Sequence, residues 1–310
     1  MSQFLLRDAR RSLLRPLRRC YSSNFSNQAI EIESGLQREL DGILNSFDAP
    51  ITYAFGYGSG VFKQVGYDST DKPQIDLILA VEDPVEFHSR NIKQNSHHYS
   101  SLKYFGPKVI SRFQDVGAGI YFNPYANING NEVKYGIVSM KRILNDLKNW
   151  ESFYIAGRLQ KPVKVLKTNP TIEHYNHLNL KAAATLAKHL ISVKYPEKFD
   201  EFQFYKEITG LSYLGDIRYH LGAENPKKVE NIVTKNFDKF RMYYKPIYED
   251  VVVNNGYYLP PGFTLKNSLK KIQYRIQRTS LTQMLKGVAT AGITKSVKYA
   301  WAKRMKSRSK

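Results

Sequence analysis

The chain has 310 residues, with 47 Lys or Arg against 27 Asp or Glu and a formal net charge of +20. Its single cysteine, Cys20, excludes an intramolecular disulfide and a cysteine-ligated zinc site. Residues 1–20 hold six Arg and one Asp, and residues 251–310 hold thirteen Lys or Arg and no acid, so the 230 residues between carry only +2, which argues against a basic body gripping nucleic acid over its whole face.

Residues 1–22 are rich in Arg and Ser, with Leu5, Leu6, Leu13, Leu14 and Leu17 among the arginines. This is the composition of a mitochondrial presequence; the alternative is a solvated basic tail. Ile32, Leu36, Leu40, Ile43, Leu44 and Phe47 recur at steps of three and four, which predicts an amphipathic helix. It leads into a strand over Ile51 to Phe55 and a glycine-rich turn, Gly56-Tyr57-Gly58-Ser59-Gly60, with a helix start near Val61. A second strand, Ile75 to Leu79, carries Asp76. Asp83-Pro84-Val85-Glu86 reads as a helix start, so Glu82 and Asp83 serve the helix end. Gly119 to Asn123 and Val133 to Ser139 read as strands joined through a turn at Asn127 to Asn131, and Ser139 caps a helix burying Ile143, Leu144, Leu147 and Trp150.

The remainder reads as mainly helical. Leu178 to Leu190 is alanine-rich, and Asn225-Pro226 opens a helix with Val229, Ile232, Val233, Phe237 and Phe240 on one stripe. Pro260-Pro261-Gly262 breaks the chain before the basic tail. There Leu281, Met284, Leu285, Val288, Ile293, Val297 and Trp301 recur at helical spacing among Lys286, Lys295, Lys298, Lys303 and Arg304. The pattern predicts a basic amphipathic helix on an anionic bilayer, the alternative being a helix packed on the protein's own core. No run of 18 apolar residues occurs, so a peripheral attachment is expected.

The chemistry converges on the glycine turn. Backbone N–H groups at Gly58, Ser59 and Gly60 and the Ser59 hydroxyl suit phosphate oxygens, with Lys63 close behind in sequence. The spacing is neither that of a P-loop nor Gly-x-Gly-x-x-Gly, because Lys63 stands where the third glycine belongs. His97-His98 and His174-x-x-His177 form no zinc-like cluster.

Gly58-Ser59 with Asp76 resembles the active-site pattern of the polymerase-β-like nucleotidyltransferases. The blocks FGYGSGVFKQ, QIDLILAVEDP, HYSSLKYFGPK, GAGIYFNP, VKYGIVSM, YIAGRLQKPVK, LNLKAAATLAKH, EFQFYKEITGLSYLGDIRY and AGITKSVKYAWAK resemble the mitochondrial phosphatidate cytidylyltransferase family, from about Ile51 to the C-terminus. The resemblance implies an α/β fold: a mixed-sheet nucleotidyltransferase domain over 23–150, a mainly helical, winged-helix-like domain over 151–260, and a membrane-binding tail over 261–310. It implies transfer of CMP from CTP to phosphatidic acid with Mg2+, on the matrix face of the mitochondrial inner membrane, and no nucleic-acid partner. Asp76 is then the magnesium ligand, Gly58, Ser59, Gly60 and Lys63 the triphosphate cradle, and Arg158 and Lys164 further phosphate cations, the alternative for these two being a solvated basic strand edge. Lys286, Lys295, Lys298, Trp301, Lys303 and Arg304 are the membrane contacts.

The superfamily pattern expects two carboxylates two residues apart, but positions 74 and 78 are Gln74 and Ile78. Asp216 is the leading candidate for the second ligand, the alternative being an Asp–Arg pair that fastens helices; Glu132 and Asp115 are further options near turns. Two other functions stay open at this point, a nucleotidyltransferase acting on RNA and a non-enzymatic membrane assembly factor. Base selectivity, acyl-chain preference and oligomeric state are not legible in the chain.

Overall fold

The computed structural model describes residues 25–62, 73–220, 222 and 225–291. The presequence region, Lys63, Lys295, Lys298, Trp301, Lys303 and Arg304 lie outside the described residues.

Helix α1 (Ser34–Asn45) buries Leu40 and Ile43 and delivers the chain to β1 (Tyr53–Tyr57), all of whose residues are buried. After the glycine turn, β2 (Ile75–Val81) returns antiparallel to β1, with Tyr57 opposite Asp76. Helix α2 (Pro84–Gln94) starts as expected: the Asp83 carboxylate accepts from the N–H groups of Val85 and Glu86, and Pro84 occupies the first turn. Two short 3₁₀ turns lead to α3 (Pro107–Asp115), then to the hairpin β3 (Ile120–Ile128) and β4 (Asn131–Ser139). β4 lies parallel to β2, and Ser139 caps α4 (Met140–Asn149) by accepting from the Arg142 N–H.

A six-residue helix, α5 (Tyr154–Leu159), precedes β5 (Lys164–Lys167), which pairs antiparallel with β1. The sheet therefore runs β3-β4-β2-β1-β5, mixed and five-stranded. β5 places residues 164–167 in this sheet, beyond the 150/151 division expected from the chain order.

The helical half consists of α6 (Pro170–Lys194), α7 (Glu201–Leu211), α8 (Ile217–His220) and α9 (Lys228–Tyr248), and it contains no strand among the described residues. α6 is capped by the Asn169 side chain, α7 by an Asp200/Gln203 capping box. Buried side chains of both halves form one continuous core, in which Phe204, Tyr205, Phe240, Tyr243 and Tyr244 join the sheet residues Tyr53 and Phe55.

Helix α10 (Ser268–Ala291) corrects one expectation. Ile272, Ile276, Thr279, Lys286 and Thr290 face the body and are buried, while Leu281, Met284, Leu285 and Val288 face out. Lys286 is not a membrane contact: its Nζ donates to the carbonyls of Gln114 and Val116, 2.9 Å from each. Burial pushes the Lys286 ammonium down to about 8. At Gly117, beside this latch, an added Cβ would come within 2.3 Å of the Thr282 hydroxyl, so the helix sits directly on the backbone there. No helix among the described residues is long and apolar enough to cross a membrane.

Candidate active site

Side chains of one strand alternate between the two faces of the sheet, and registered partners share a face. Tyr57 on β1, Asp76 on β2 and Lys134 on β4 thus make one row across three strands. Lys134 Nζ lies 3.1 Å from Asp76 Oδ1 and 4.8 Å from the centroid of Phe122, on β3. Phe122 reaches this position by crossing Gly136, where an added Cβ would come within 2.6 Å of its ring.

The glycine turn closes over the end of this row. Gly58 has φ of +79°, a conformation that favours glycine, and a Cβ there would lie 3.4 Å from Asp76 Oδ2. The turn backbone and that carboxylate oxygen therefore face each other. The N–H groups of Val61 and Phe62 bond back to the Gly58 carbonyl; the residues after Phe62, on which the expected helix would continue, lie outside the described ones. Gly60 is required for a separate reason: a Cβ would collide with the Gln74 carbonyl at 2.3 Å. Gly58 is the exposed residue of the turn, and Ser59 and Gly60 are half-buried.

Helix α5 covers the same face and supplies Arg158, whose guanidinium carbon lies 4.3 Å from the centroid of Tyr57. This short helix is held from several sides. The buried Asp146 carboxylate accepts from the N–H groups of Ser152, Phe153, Ile155 and Ala156, all at 2.7 to 2.9 Å. Trp150 and Phe153 both adopt positive φ to make that loop. Asn179 on α6 donates to the Ala156 carbonyl, and Tyr243 and Tyr244 on α9 donate to the carbonyls of Leu159 and Gln160. Arg275 on α10 donates to the carbonyls of Asn149 and Trp150.

Two lysines of the Arg158 block have different fates. Lys164 Nζ donates to the Ile30 carbonyl at 2.9 Å, which ties the N-terminal segment to the sheet edge. Lys161, absent from the expected site, is buried; its Nζ contacts the Gly157 carbonyl and the Ser212 hydroxyl and makes no ion pair among the described residues. Burial, then the charges of Arg158 and Lys228, push its pKa well below the usual lysine range. Both Lys161 and Lys228 lie over the Tyr213 ring, at 5.4 and 5.6 Å.

Asp216 is engaged elsewhere. Its buried carboxylate holds Arg218 through Nε and Nη2, and burial, which would raise its pKa, is outweighed by these bonds so that the pKa falls below the ordinary value. This is the Asp–Arg pair, and no contact joins it to Asp76 among the described residues. Glu132 lies closer in the sheet, two residues along β4 from Lys134 and on the same face, and it accepts from the Gln74 amide at 2.8 Å. Asp115 pairs with Arg142. No group of three His, Cys, Asp or Glu side chains converges on a metal position among the described residues.

Burial opposes charge on Lys134, but Tyr57 and Asp76 beside it hold its pKa above the usual lysine range. At neutral pH Tyr57 is an uncharged phenol, its own pKa raised first of all by burial, so Asp76 is the charge that matters. Among these residues Tyr57, Lys134 and Lys161 escaped the sequence reading. Lys134 had a legible signal, a charge directly before the run Tyr135 to Val138 and two residues after Glu132.

A cavity of about 430 Å³ lies away from this row, lined by Gly215, Ile217, Tyr274, Gln277, Arg278 and Leu281.

A glycine turn facing a carboxylate, with cations over the same sheet face, defines a phosphate-handling transfer site of the nucleotidyltransferase type. The family model described as mitochondrial phosphatidate cytidylyltransferase matches residues 40–257 and 263–306. The chain is 63% identical over 283 residues to the protein of that name from Saccharomyces cerevisiae, covering 91% of this chain and 74% of that one. It is 47% identical to the Schizosaccharomyces pombe protein, covering 72% and 56%, and 44% identical to the human one, covering 67% and 46%. The chain belongs to the mitochondrial phosphatidate cytidylyltransferase family. It spans about half the length of the fission-yeast and human relatives. A likeness to a nucleotidyltransferase-like protein from Exiguobacterium sibiricum, at 12% identity, 82% and 77% coverage and a TM-score of 0.25, is too weak to carry weight.

Proposed function

We propose that this chain transfers CMP from CTP to phosphatidic acid, giving CDP-diacylglycerol and pyrophosphate, as a peripheral protein on the matrix side of the mitochondrial inner membrane. The observation that carries the reading is the row Tyr57–Asp76–Lys134 facing the Gly58 turn. A phosphate monoester has a second pKa of about 6, so the attacking oxygen of phosphatidic acid is ionised near neutral pH and needs no general base. That oxygen bonds to the α-phosphorus of CTP, the bond to the α–β bridging oxygen breaks, and pyrophosphate leaves with the electron pair.

The chain's own residues align the two phosphates and neutralise their charge. The Gly58–Ser59–Gly60 turn cradles the triphosphate. Lys134 and Arg158 face it from two sides, one held by Asp76 and the other stacked on Tyr57. Magnesium fits this donor set, because Oδ1 of Asp76 holds Lys134 and Oδ2 faces the turn, and Mg2+ keeps water and phosphate oxygens as its remaining ligands. When bound it supplies Lewis-acid charge to the triphosphate, with Asp76 as its protein ligand and Glu132 as the nearest further carboxylate. The presequence-like residues 1–22 fit mitochondrial import.

The test is incubation of the chain lacking residues 1–22 with radiolabelled CTP, magnesium and phosphatidic acid in anionic liposomes, beside Asp76→Ala. Label entering the lipid phase and vanishing in the variant supports both reaction and residue. No label from folded protein overturns the reading. The RNA and assembly-factor functions have no observation in their favour.

A further inference from the structure

The corner that leads into α3 is built the wrong way round for a protein surrounded by water. Tyr104 and Phe105 are 81% and 68% exposed, and Val109 and Val116 on α3 and just beyond it are 40% and 53% exposed. Val109 and Arg112 lie one turn apart on α3, with Lys108 beside them, Phe105 just before the Gly106 cap and Val116 just past the end of the helix. Between Glu86 and Asp115 the chain has five Lys or Arg and no acid. Aromatic and aliphatic side chains among cations, with one acid at the far edge, Asp115, paired to Arg142, complement an anionic lipid surface.

The corner is rigid, so its exposure is set by the backbone. Ser100 caps the preceding 3₁₀ turn, the Gly106 N–H bonds to the Lys103 carbonyl, and Lys103 Nζ donates to the Ser96 carbonyl at 3.0 Å. Gly106 takes φ of +84° with open space around it, and Pro107 starts α3. Beneath lies a buried polar network in which His88 bridges Tyr99 and Gln114, and Asn91 donates to Tyr99 and Tyr135. The far end of α3 meets α10 at the Lys286 latch, next to the outward Leu285.

We propose that Tyr104, Phe105 and the outward face of α3 form a membrane-contacting element of their own, which inserts its aromatic side chains into an anionic lipid surface beside α10. This rests on the reading of phosphatidic acid as substrate, since a lipid phosphate must reach the Asp76 site from a bilayer. It assigns the lipid contact to the folded body, independent of the residues beyond α10.

The test is flotation of the full chain with phosphatidylcholine vesicles containing roughly 20% phosphatidic acid, enough anionic lipid to attract a basic patch. Tyr104→Ser/Phe105→Ser should lower the bound fraction at limiting lipid about tenfold, and Lys108→Glu/Arg112→Glu should do the same and flatten the salt dependence. CTP turnover on detergent-dispersed phosphatidic acid should be unchanged in both, which separates this proposal from the enzyme reading because flotation needs no chemistry. A further variant, Phe105→Trp, should shift its emission to the blue on vesicle addition and be quenched by brominated acyl chains, measured as the difference from the parent protein. Equal flotation of parent and double variants, or emission from the Phe105→Trp variant indifferent to vesicles, overturns the proposal and leaves the patch to an acidic protein partner.

Discussion

Asp76 and Lys134 stand opposite each other across the parallel pair β2–β4, with Nζ 3.1 Å from Oδ1 and both side chains partly open to the site. In the proposed site the lysine has two duties: it would orient the carboxylate and present charge to the triphosphate. Lys134→Met is expected to lower kcat about 100-fold, the scale of losing one electrostatic stabiliser. Lys134→Arg should recover part of it. Steady-state kinetics with matched thermal melts check this, and an unchanged kcat in the Met variant would remove Lys134 from the site.

Arg158 works as a plane as well as a charge. Its guanidinium stacks on Tyr57, an arrangement an ammonium reproduces poorly. Arg158→Lys should raise KM for CTP by about tenfold, or about 1.4 kcal/mol of binding, with little change in melting temperature. Tyr57→Leu should weaken the same step, and double-variant kinetics less than additive would show that the two act together.

Asp146 touches no substrate yet controls the site. Replacing it by Asn turns one carboxylate oxygen into a donor, so two of the four backbone N–H groups that shape residues 152–156 lose their acceptor and face an NH2 group instead. The expected cost is about 3 kcal/mol or more, read as a lower urea midpoint. Activity should fall beyond the loss of folded protein, because α5 carries Arg158.

Lys286 gives stability a pH dependence of known sign. Its folded pKa, about 8, lies below the usual lysine value of 10.5, so the unfolded chain binds more protons between those pH values. Stability contributed by this residue therefore rises as pH goes from about 8 towards 10.5, and is flat below that window. Lys286→Met should abolish that rise; the difference between parent and variant urea midpoints from pH 7 to pH 10 measures it.

Four of the five strands were legible because β1, β2 and β4 are short runs of aliphatic and aromatic residues bounded by turns and β3 forms a hairpin with β4, and the helices after β2 and β4 carry caps at Asp83 and Ser139; the four-residue β5 was not. Asp76 was legible from its place after the glycine turn. Arg158 was legible as a phosphate cation, but Tyr57 and Lys134 were not, because the row forms through strand register and its cover through a loop folded around Asp146, and neither is encoded locally. Short α3 escaped notice because its outward face holds apolar residues, which blurs the helical period. Lys286 misled for the reverse reason: periodicity finds a stripe on α10 but does not say which side docks, and here threonines and a lysine face inward while leucines face out.

Helix α10 is about 36 Å long at 1.5 Å per residue over its 24 residues. It is fastened near its start by Arg275 to the turn at Trp150 and near its end by Lys286 to the end of α3. A rod fixed at two such points has no hinge between them, so the heading of the helix and that of the Asp76 face are one quantity. A surface that oriented the rod would therefore set the bearing of the Asp76 face as well.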